Sequence, residues 1–257
     1  MQLFETIAVA FSMYSAIPMP QFAWNDKNMK YALCAFPLIG IIIGLLQWLA
    51  MAGSLALELP DLLRGAILCL IPVLVTGGIH LDGYADTGDA LASHADAEKK
   101  QEILKDPHIG SFAVIRLLSY FVISFALWTA MGVQSLLTLI LIYCLSRSLS
   151  GLAVTTFKPS KKSGLAYMFS QAADKKRASL ILGIMAVLYM LGLVFAAGLS
   201  GIAAAGAALI VYAYYYHTAM KQFGGLSGDL AGWFLQKCEF WMAAALYAAG
   251  LLLNIFG

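Results

Sequence analysis

Hydrophobic positions gather along this chain into long unbroken blocks, and the short stretches between the blocks carry almost all of the charge. Tyr31 to Leu57 holds no Asp, Glu, Lys or Arg, and neither does Ala178 to Tyr216. Ser111 to Phe157 is interrupted only by Arg116 and Arg147. A helix needs about 20 apolar residues to cross a bilayer, and these blocks reach that length. The pattern predicts eight apolar segments, at 2–17, 31–57, 65–79, 111–131, 136–156, 178–198, 199–216 and 240–256. The first is short and ends in Ile17-Pro18-Met19-Pro20, so it either spans or lies re-entrant in the interface. The third contains Pro72 and runs directly into a polar, aspartate-rich stretch.

Composition excludes a soluble protein of ordinary make-up. Hydrophobic residues are 61% of the 257, charged residues only 12%, and mean hydropathy is +0.81, where a globular domain is about a quarter charged. Length alone would suit one or two soluble domains, but no polar stretch is long enough to house one. The expectation is a single all-α membrane domain over 1–257, a polytopic bundle of about seven or eight segments. Of the 16 Lys and Arg, all but Arg64, Arg116 and Arg147 fall in alternate loops at 26–30, 80–110, 157–177 and 217–238. This positive-inside bias assigns those loops to the cytoplasm, and both termini to the outside if the first segment spans. Cys34, Cys69, Cys144 and Cys238 lie far apart without metal or redox spacing, and read as buried, reduced core residues. No Lys or Arg precedes the first apolar run, which also carries Glu5, and this argues against a cleaved signal peptide.

Against this background the stretch Gly77 to Leu91 stands out, because it places Asp82, Asp86 and Asp89 within eight residues. At roughly 100° per helical residue the three fall within about 60° of one another on one face. Carboxylates that repel one another beside a bilayer need a compensating cation or substrate. Three hard oxygen ligands suit Mg²⁺, which is usually held by one or two carboxylates plus substrate phosphates. The plain alternative is a solvated acidic loop.

Three further elements carry candidate chemistry. Gly224, Gly225, Ser227 and Gly228 form a glycine loop whose N–H groups and hydroxyl could cradle an anion, with Asp229 beside them as a base or a further metal ligand. Close helix packing is the competing explanation for such glycines. Asp106 and His108 close the aspartate loop, as members of the site or as a turn and cap. Arg147 lies well inside an apolar segment, where it answers to a phosphate, to a carboxylate in the bundle, or to the interface by snorkelling. Lys158, Lys161 and Lys162 read as topological determinants. His80 and His94 point away from the aspartate face by the same helical arithmetic, and His217 reads as interfacial. Together these residues suggest phosphoryl chemistry on a partly membrane-associated substrate.

The stretch Gly77-Gly78-Ile79-His80-Leu81-Asp82-Gly83-Tyr84-Ala85-Asp86-Thr87-Gly88-Asp89-Ala90 resembles the signature of the cobalamin synthase family, the adenosylcobinamide-GDP ribazoletransferases. The Ile17-Pro18-Met19-Pro20 stretch, the Asp106-to-Gly110 element and the glycine loop with Asp229 extend the resemblance along the chain. Pro107-His108 stand where the family tends to have Ser-Arg, so no phosphate role is carried to position 108. The segment Lys161 to Ala166 only approximates the family's later Gly-Leu-Gly element. The resemblance implies transfer of adenosylcobinamide phosphate from adenosylcobinamide-GDP to a ribose hydroxyl of α-ribazole or its 5′-phosphate, with release of GMP. It implies Mg²⁺ as cofactor, held by Asp82, Asp86 and Asp89, with Asp229 as base or additional ligand; Asp106 and Arg147 remain candidate catalytic residues on the residue reading above. It also implies a bacterial inner membrane location with a cytoplasmic site and lipid as surroundings. Nucleic acid is not an expected partner, and a homo-oligomer stays open. A CDP-alcohol phosphotransferase uses a related acidic helix, but with a second Asp-Gly followed by Ala-Arg, where this chain has Asp86-Thr87-Gly88-Asp89. A cation or metabolite transporter would use the aspartates as a transport site, and would call for broken helices at mid-membrane and an inverted repeat.

Overall fold

A computed structural model describes residues 2–161 and 163–256. Among them the chain is helical from end to end: α1 (Gln2–Tyr14), α2 (Asp26–Met29), α3 (Ala32–Ala56), α4 (Asp61–Thr76), α5 (Ile79–Ala92), α6 (Ala97–Ile103), α7 (Ser111–Ala130), α8 (Leu136–Thr156), α9 (Leu165–Ala172), α10 (Lys175–Gln222) and α11 (Gly228–Phe256). Five of these, α3, α7, α8, α10 and α11, are long and apolar enough to cross a membrane. The pair α4 and α5 passes the same test together, but it is bent by 95° at its break. The all-α polytopic bundle is therefore what the chain forms.

One expected segment takes a different form, and two others are joined into one long element. Helix α1 has 13 residues, about 20 Å at 1.5 Å per residue, and falls short of a bilayer core of about 30 Å. It packs against α3. Helix α10 runs over 48 residues but is not one rod, because Gly198 sits at φ 55 and ψ −128 inside it. Gly201 lies against the Leu193 carbonyl and the Val194 Cα so closely that no Cβ fits. Residues eight apart on a straight helix are about 12 Å apart, so the chain reverses at Gly198 into two antiparallel halves. Those halves are the segments 178–198 and 199–216, joined at the uncharged turn.

Helix α8 is the central rod, packed against α3, α10 and α11, and its Ser146, Arg147, Ser148 and Ser150 are all buried. Against it α3 comes to backbone contact: a Cβ on Gly40 would stand 2.6 Å from the Tyr143 carbonyl carbon, and one on Gly44 would overlap Ile140. Helix α4 tolerates Pro72 because Gln47 of α3 donates its side-chain N–H to the Leu68 carbonyl at 2.7 Å. That carbonyl is the one Pro72, lacking an N–H, leaves without a helical partner. The outward faces of α7, α10 and α11 carry exposed residues such as Leu118, Val122, Phe195, Ile210 and Leu252, as a lipid-facing surface requires.

The turn between α4 and α5 sets up everything that follows. Gly77 and Gly78 both adopt left-handed backbone, at φ 64 and φ 79, a conformation glycine reaches without steric cost. The acidic segment thus leaves the axis of α4 nearly at a right angle and crosses the first turns of α7 and α11. The C-terminal half holds a second correction to the sequence reading. The stretch 217–238, expected as a loop, is mostly helix: α10 continues to Gln222 and α11 begins at Gly228, leaving only residues 223–227 between them. The polar residues that suggested a loop have partners inside the bundle. Gln236 accepts the Tyr120 hydroxyl at 2.6 Å, and Lys237 lies 5.0 Å above the Trp233 ring.

Candidate functional site

Two glycines bring the acidic helix onto α11. A Cβ on Gly83 would stand 2.6 Å from the Asp229 carbonyl oxygen, and one on Gly232 would stand 2.9 Å from the His80 carbonyl oxygen. Each glycine faces backbone, so α5 and α11 run in direct contact from His80–Gly232 to Gly83–Asp229. Asp229, in the first turn of α11, is thereby set beside the carboxylates of α5. Burial, followed by the Asp82, Asp229 and Asp89 carboxylates, pushes the Asp86 carboxyl up to about 6. Among the described residues none of these four carboxylates is in an ion pair, although six pairs occur elsewhere.

The three-aspartate face does not meet at one point. Asp89 reaches across to the start of α7, where its carboxylate accepts the Ala113 N–H at 3.3 Å. Gly110 is pressed against the same carboxylate. Helix α7 has no side-chain cap of its own at Gly110, so Asp89 fills that place and faces the positive end of the helix dipole. Among the described residues no three His, Cys, Asp or Glu side chains converge closely enough to hold a metal ion by themselves. Asp82 and Asp229 instead line one cavity of about 450 Å³.

This cavity has a polar mouth and an apolar depth. Lys105, Lys161, Ser160, Ser163, Ser227 and Gly228 line it together with the two aspartates, while Met13, Tyr14, Phe36, Val154 and Leu235 form apolar wall. At Lys161 the Nζ donates to the Gln101 carbonyl at 3.1 Å. Burial and the Lys105 charge lower the proton affinity of Lys161, with Asp229 opposing, which shows how close these charges stand. Lys162, read with Lys158 and Lys161 as topological, lies outside the described residues.

The glycine loop does two different jobs. Gly225 packs against the segment after α8: its Cβ would stand 2.6 Å from Ser160 N and 2.7 Å from the Lys158 carbonyl. Its own N–H goes to the Ala219 carbonyl, and that of Leu226 to the Lys158 carbonyl, each at 2.8 Å. Ser160 N–H returns a bond to the Leu226 carbonyl at 2.8 Å. The Leu226 and Ser160 amides therefore hold the loop to the 157–161 segment, and the Gly225 amide ties it to the end of α10. Ser227, whose Oγ accepts the Leu230 N–H at 3.2 Å, caps α11, and with Gly228 it presents the start of that helix to the cavity. Gly224 adopts φ +69 and has nothing within 4 Å of a Cβ position.

The remaining candidates lie elsewhere. Arg147 is buried and pairs with Glu239 at 2.7 Å, while its guanidinium lies 5.6 Å above Phe36 and 5.5 Å above Tyr143. Of the three partners the sequence allowed, the structure supplies the carboxylate in the bundle. Asp106 is exposed on the surface, its carboxylate accepting both the backbone N–H and the Nδ1 of His108 at 3.0 and 2.8 Å. Two cavity residues had been set aside from sequence. Lys161 was read for its charge alone, and His80 was turned away by the helical wheel. His80 lines the cavity because it sits in the first turn of α5, where the helix end opens and the wheel no longer separates inside from outside. The Gly-Gly pair before it was the available signal of such an end.

Comparison with known proteins finds relatives along nearly the whole chain. A protein of Lachnoclostridium phytofermentans named adenosylcobinamide-GDP ribazoletransferase is 40% identical over 249 residues, covering 97% of this chain and 95% of the relative. Proteins of the same name from Clostridium perfringens and Pseudomonas fluorescens are 33% and 31% identical, over 92% and 84% of this chain and 95% and 87% of their own lengths. No solved structure matches. The family model described as cobalamin-5-phosphate synthase matches residues 6–247, from within α1 almost to the end of α11, and the chain belongs to that family.

Proposed function

We propose that this chain catalyses the last assembly step of cobalamin, joining the cobinamide-side phosphate of adenosylcobinamide-GDP to a ribose hydroxyl of α-ribazole or its 5′-phosphate. The observation that carries this reading is the convergence of unpaired carboxylates, two lysines and a helix start on one cavity, at the place where α5 and α11 touch. The new bond runs from the ribose oxygen to the cobinamide-side phosphorus. The bond from that phosphorus to the bridging oxygen breaks, and GMP leaves. The hydroxyl proton passes to a carboxylate at the junction, for which Asp229 is placed beside the cavity. Lys105 and Lys161 face the charge of the diphosphate, and the start of α11 at Ser227 and Gly228 offers N–H groups toward an anion.

The donor set also fits Mg²⁺. Asp82 and Asp86 are hard oxygen ligands without counter-ions, and an ion held partly by substrate phosphates needs only one or two protein carboxylates. When bound, it would neutralise the diphosphate and stabilise the leaving phosphate. The positive-inside bias supports a cytoplasmic site in a bacterial inner membrane. With α1 too short to cross, the N-terminus then stays on the same side as the motif loops.

The test is direct. Purified protein in nanodiscs, given Mg²⁺, adenosylcobinamide-GDP and α-ribazole, should form a cobamide and GMP in equal amounts, and a chelator should stop both. Release of CMP from CDP-diacylglycerol and a small alcohol, with the cobinamide substrate untouched, would move the chain's activity to lipid synthesis. Aspartate-dependent uptake into vesicles with no nucleotide released would make it a transporter.

A further inference from the structure

The two substrates of the proposed reaction differ greatly in size and polarity, and the cavity discriminates between them. Its deep end is walled by Met13, Tyr14, Phe36, His80, Val154 and Leu235. The rings there are arranged face and edge: Tyr14 and Phe36 lie 4.3 Å apart at 32°, and Phe36 meets His80 at 5.8 Å and 62°. His80 is 5% exposed, and its Nε2 is buried without a hydrogen-bond partner. His80 lines the cavity while this nitrogen is closed off from it, so a small rotation of the ring would present an unpaired donor to a group that arrives with the ligand.

We propose that this deep end seats the heteroaromatic base of the acceptor nucleoside, with the Nε2–H of His80 donating to the base's unsubstituted ring nitrogen. The inference rests on the ribazoletransferase reading and assigns one half of its site. Size favours the acceptor: α-ribazole has about 20 non-hydrogen atoms, which at roughly 20 Å³ each under close packing occupy about 400 Å³. The cavity holds about 450 Å³. The corrinoid nucleotide donor has roughly five times as many atoms and cannot enter beyond its diphosphate.

Polarity separates the base of the acceptor from the guanine of the donor. Guanine carries several donors and acceptors along its edge, and burying it here would leave most of them unpaired. A benzimidazole offers flat apolar faces to Tyr14 and Phe36 and a single free ring nitrogen, matching the one orphaned atom at His80. With the base seated inward, the ribose lies level with Asp82 and Asp229, and the donor diphosphate remains at the mouth with Lys105 and Lys161. Helix α1 then has a task despite its length, since Met13 and Tyr14 at its C-terminal end close the base pocket.

The test pairs acceptor binding, measured without turnover and so apart from the activity assay, with the KM for the donor. Binding of α-ribazole alone to protein in nanodiscs is followed by calorimetry for the wild type, Val154→Phe, Leu235→Phe and His80→Phe. The two filling variants should weaken α-ribazole at least tenfold and shift the KM for adenosylcobinamide-GDP less than twofold. Wild type should bind the indole riboside, which lacks the ring-nitrogen acceptor, at least tenfold more weakly than α-ribazole. His80→Phe should remove that preference, which a merely structural histidine would not control. The assignment is overturned if the filling variants, shown folded by their melting curves, raise the donor KM as much as they weaken the acceptor. It is equally overturned if His80→Phe keeps the full preference for α-ribazole over the indole analogue. Tight, His80-dependent binding of α-ribazole by a protein that releases no GMP would uphold the pocket and refute the transferase reading.

Discussion

Asp86 is a carboxyl crowded by its own kind, and its proton affinity has a consequence for the empty protein. Its folded-state value of about 6 lies above that of an unfolded chain, so the native state holds the proton more tightly. Stability from this group is complete below about pH 4 and declines as pH rises toward and through 6. In detergent without divalent cations, the melting temperature should therefore fall between about pH 4 and pH 6.5, and Asp86→Asn should flatten that part of the profile. An unchanged slope in the variant would mean that neither burial nor its acidic neighbours raise the proton affinity of Asp86. Arg147 makes a second prediction at this scale. Its charge is taken by Glu239 inside the bundle, so Glu239→Gln should destabilise the protein by about 3–5 kcal/mol. The double replacement Arg147→Met with Glu239→Met should recover most of that loss and retain turnover, as expected for a structural pair. Loss of turnover in a stable double variant would return Arg147 to the phosphate.

Among the helices, the contact between α5 and α11 is the joint on which the site depends. Gly83→Ala puts a methyl group into the Asp229 backbone, and overpacking of this kind costs about 1–3 kcal/mol. Because Asp229 moves with α11, turnover should fall at least about tenfold as the carboxylates separate. Gly206→Ala meets no atom within 4 Å and should leave both stability and rate near wild type. Equal behaviour of the two variants would show that the joint is not needed. The acidic face of α5 was legible from sequence because helical spacing is a local property. The destinations of its members were not: Asp89 caps α7 and Asp82 faces the cavity, and only the crossing of three helices decides that. The Gly40–Gly44 pair that seats α3 on α8 carried the small-residue spacing of a close membrane contact, a signal the sequence reading passed over. Glu239 was hidden differently, since a charged residue at the edge of an apolar block looks like a loop until its partner Arg147 is known.

For the whole molecule, charge and hydropathy were enough to give an all-α membrane protein, because lipid imposes one rule on every residue of a span. They could not tell α1 from a span, nor show that polar residues 228–239 belong to a helix, since those outcomes depend on what each segment packs against. The resulting arrangement predicts one accessible side for all the motif loops. In a background without Cys34, Cys69, Cys144 and Cys238, single cysteines at Lys99, Ser163 and Lys221 should react only from the cytoplasmic side, and one at Asp61 only from outside. Reaction of the Lys99 and Lys221 positions from opposite sides would separate the two acidic elements.

The central claim is that phosphoryl transfer takes place where α5 and α11 meet. The most direct measurement is acceptor-dependent GMP release by purified Asp82→Asn and Asp229→Asn, each compared with wild type after matched insertion and melting temperature. Loss of electrostatic stabilisation at the reacting phosphate should lower turnover by at least about a hundredfold in both. Near-normal release by both variants, with the same requirement for α-ribazole, would contradict the account and leave the acidic junction a solvated surface.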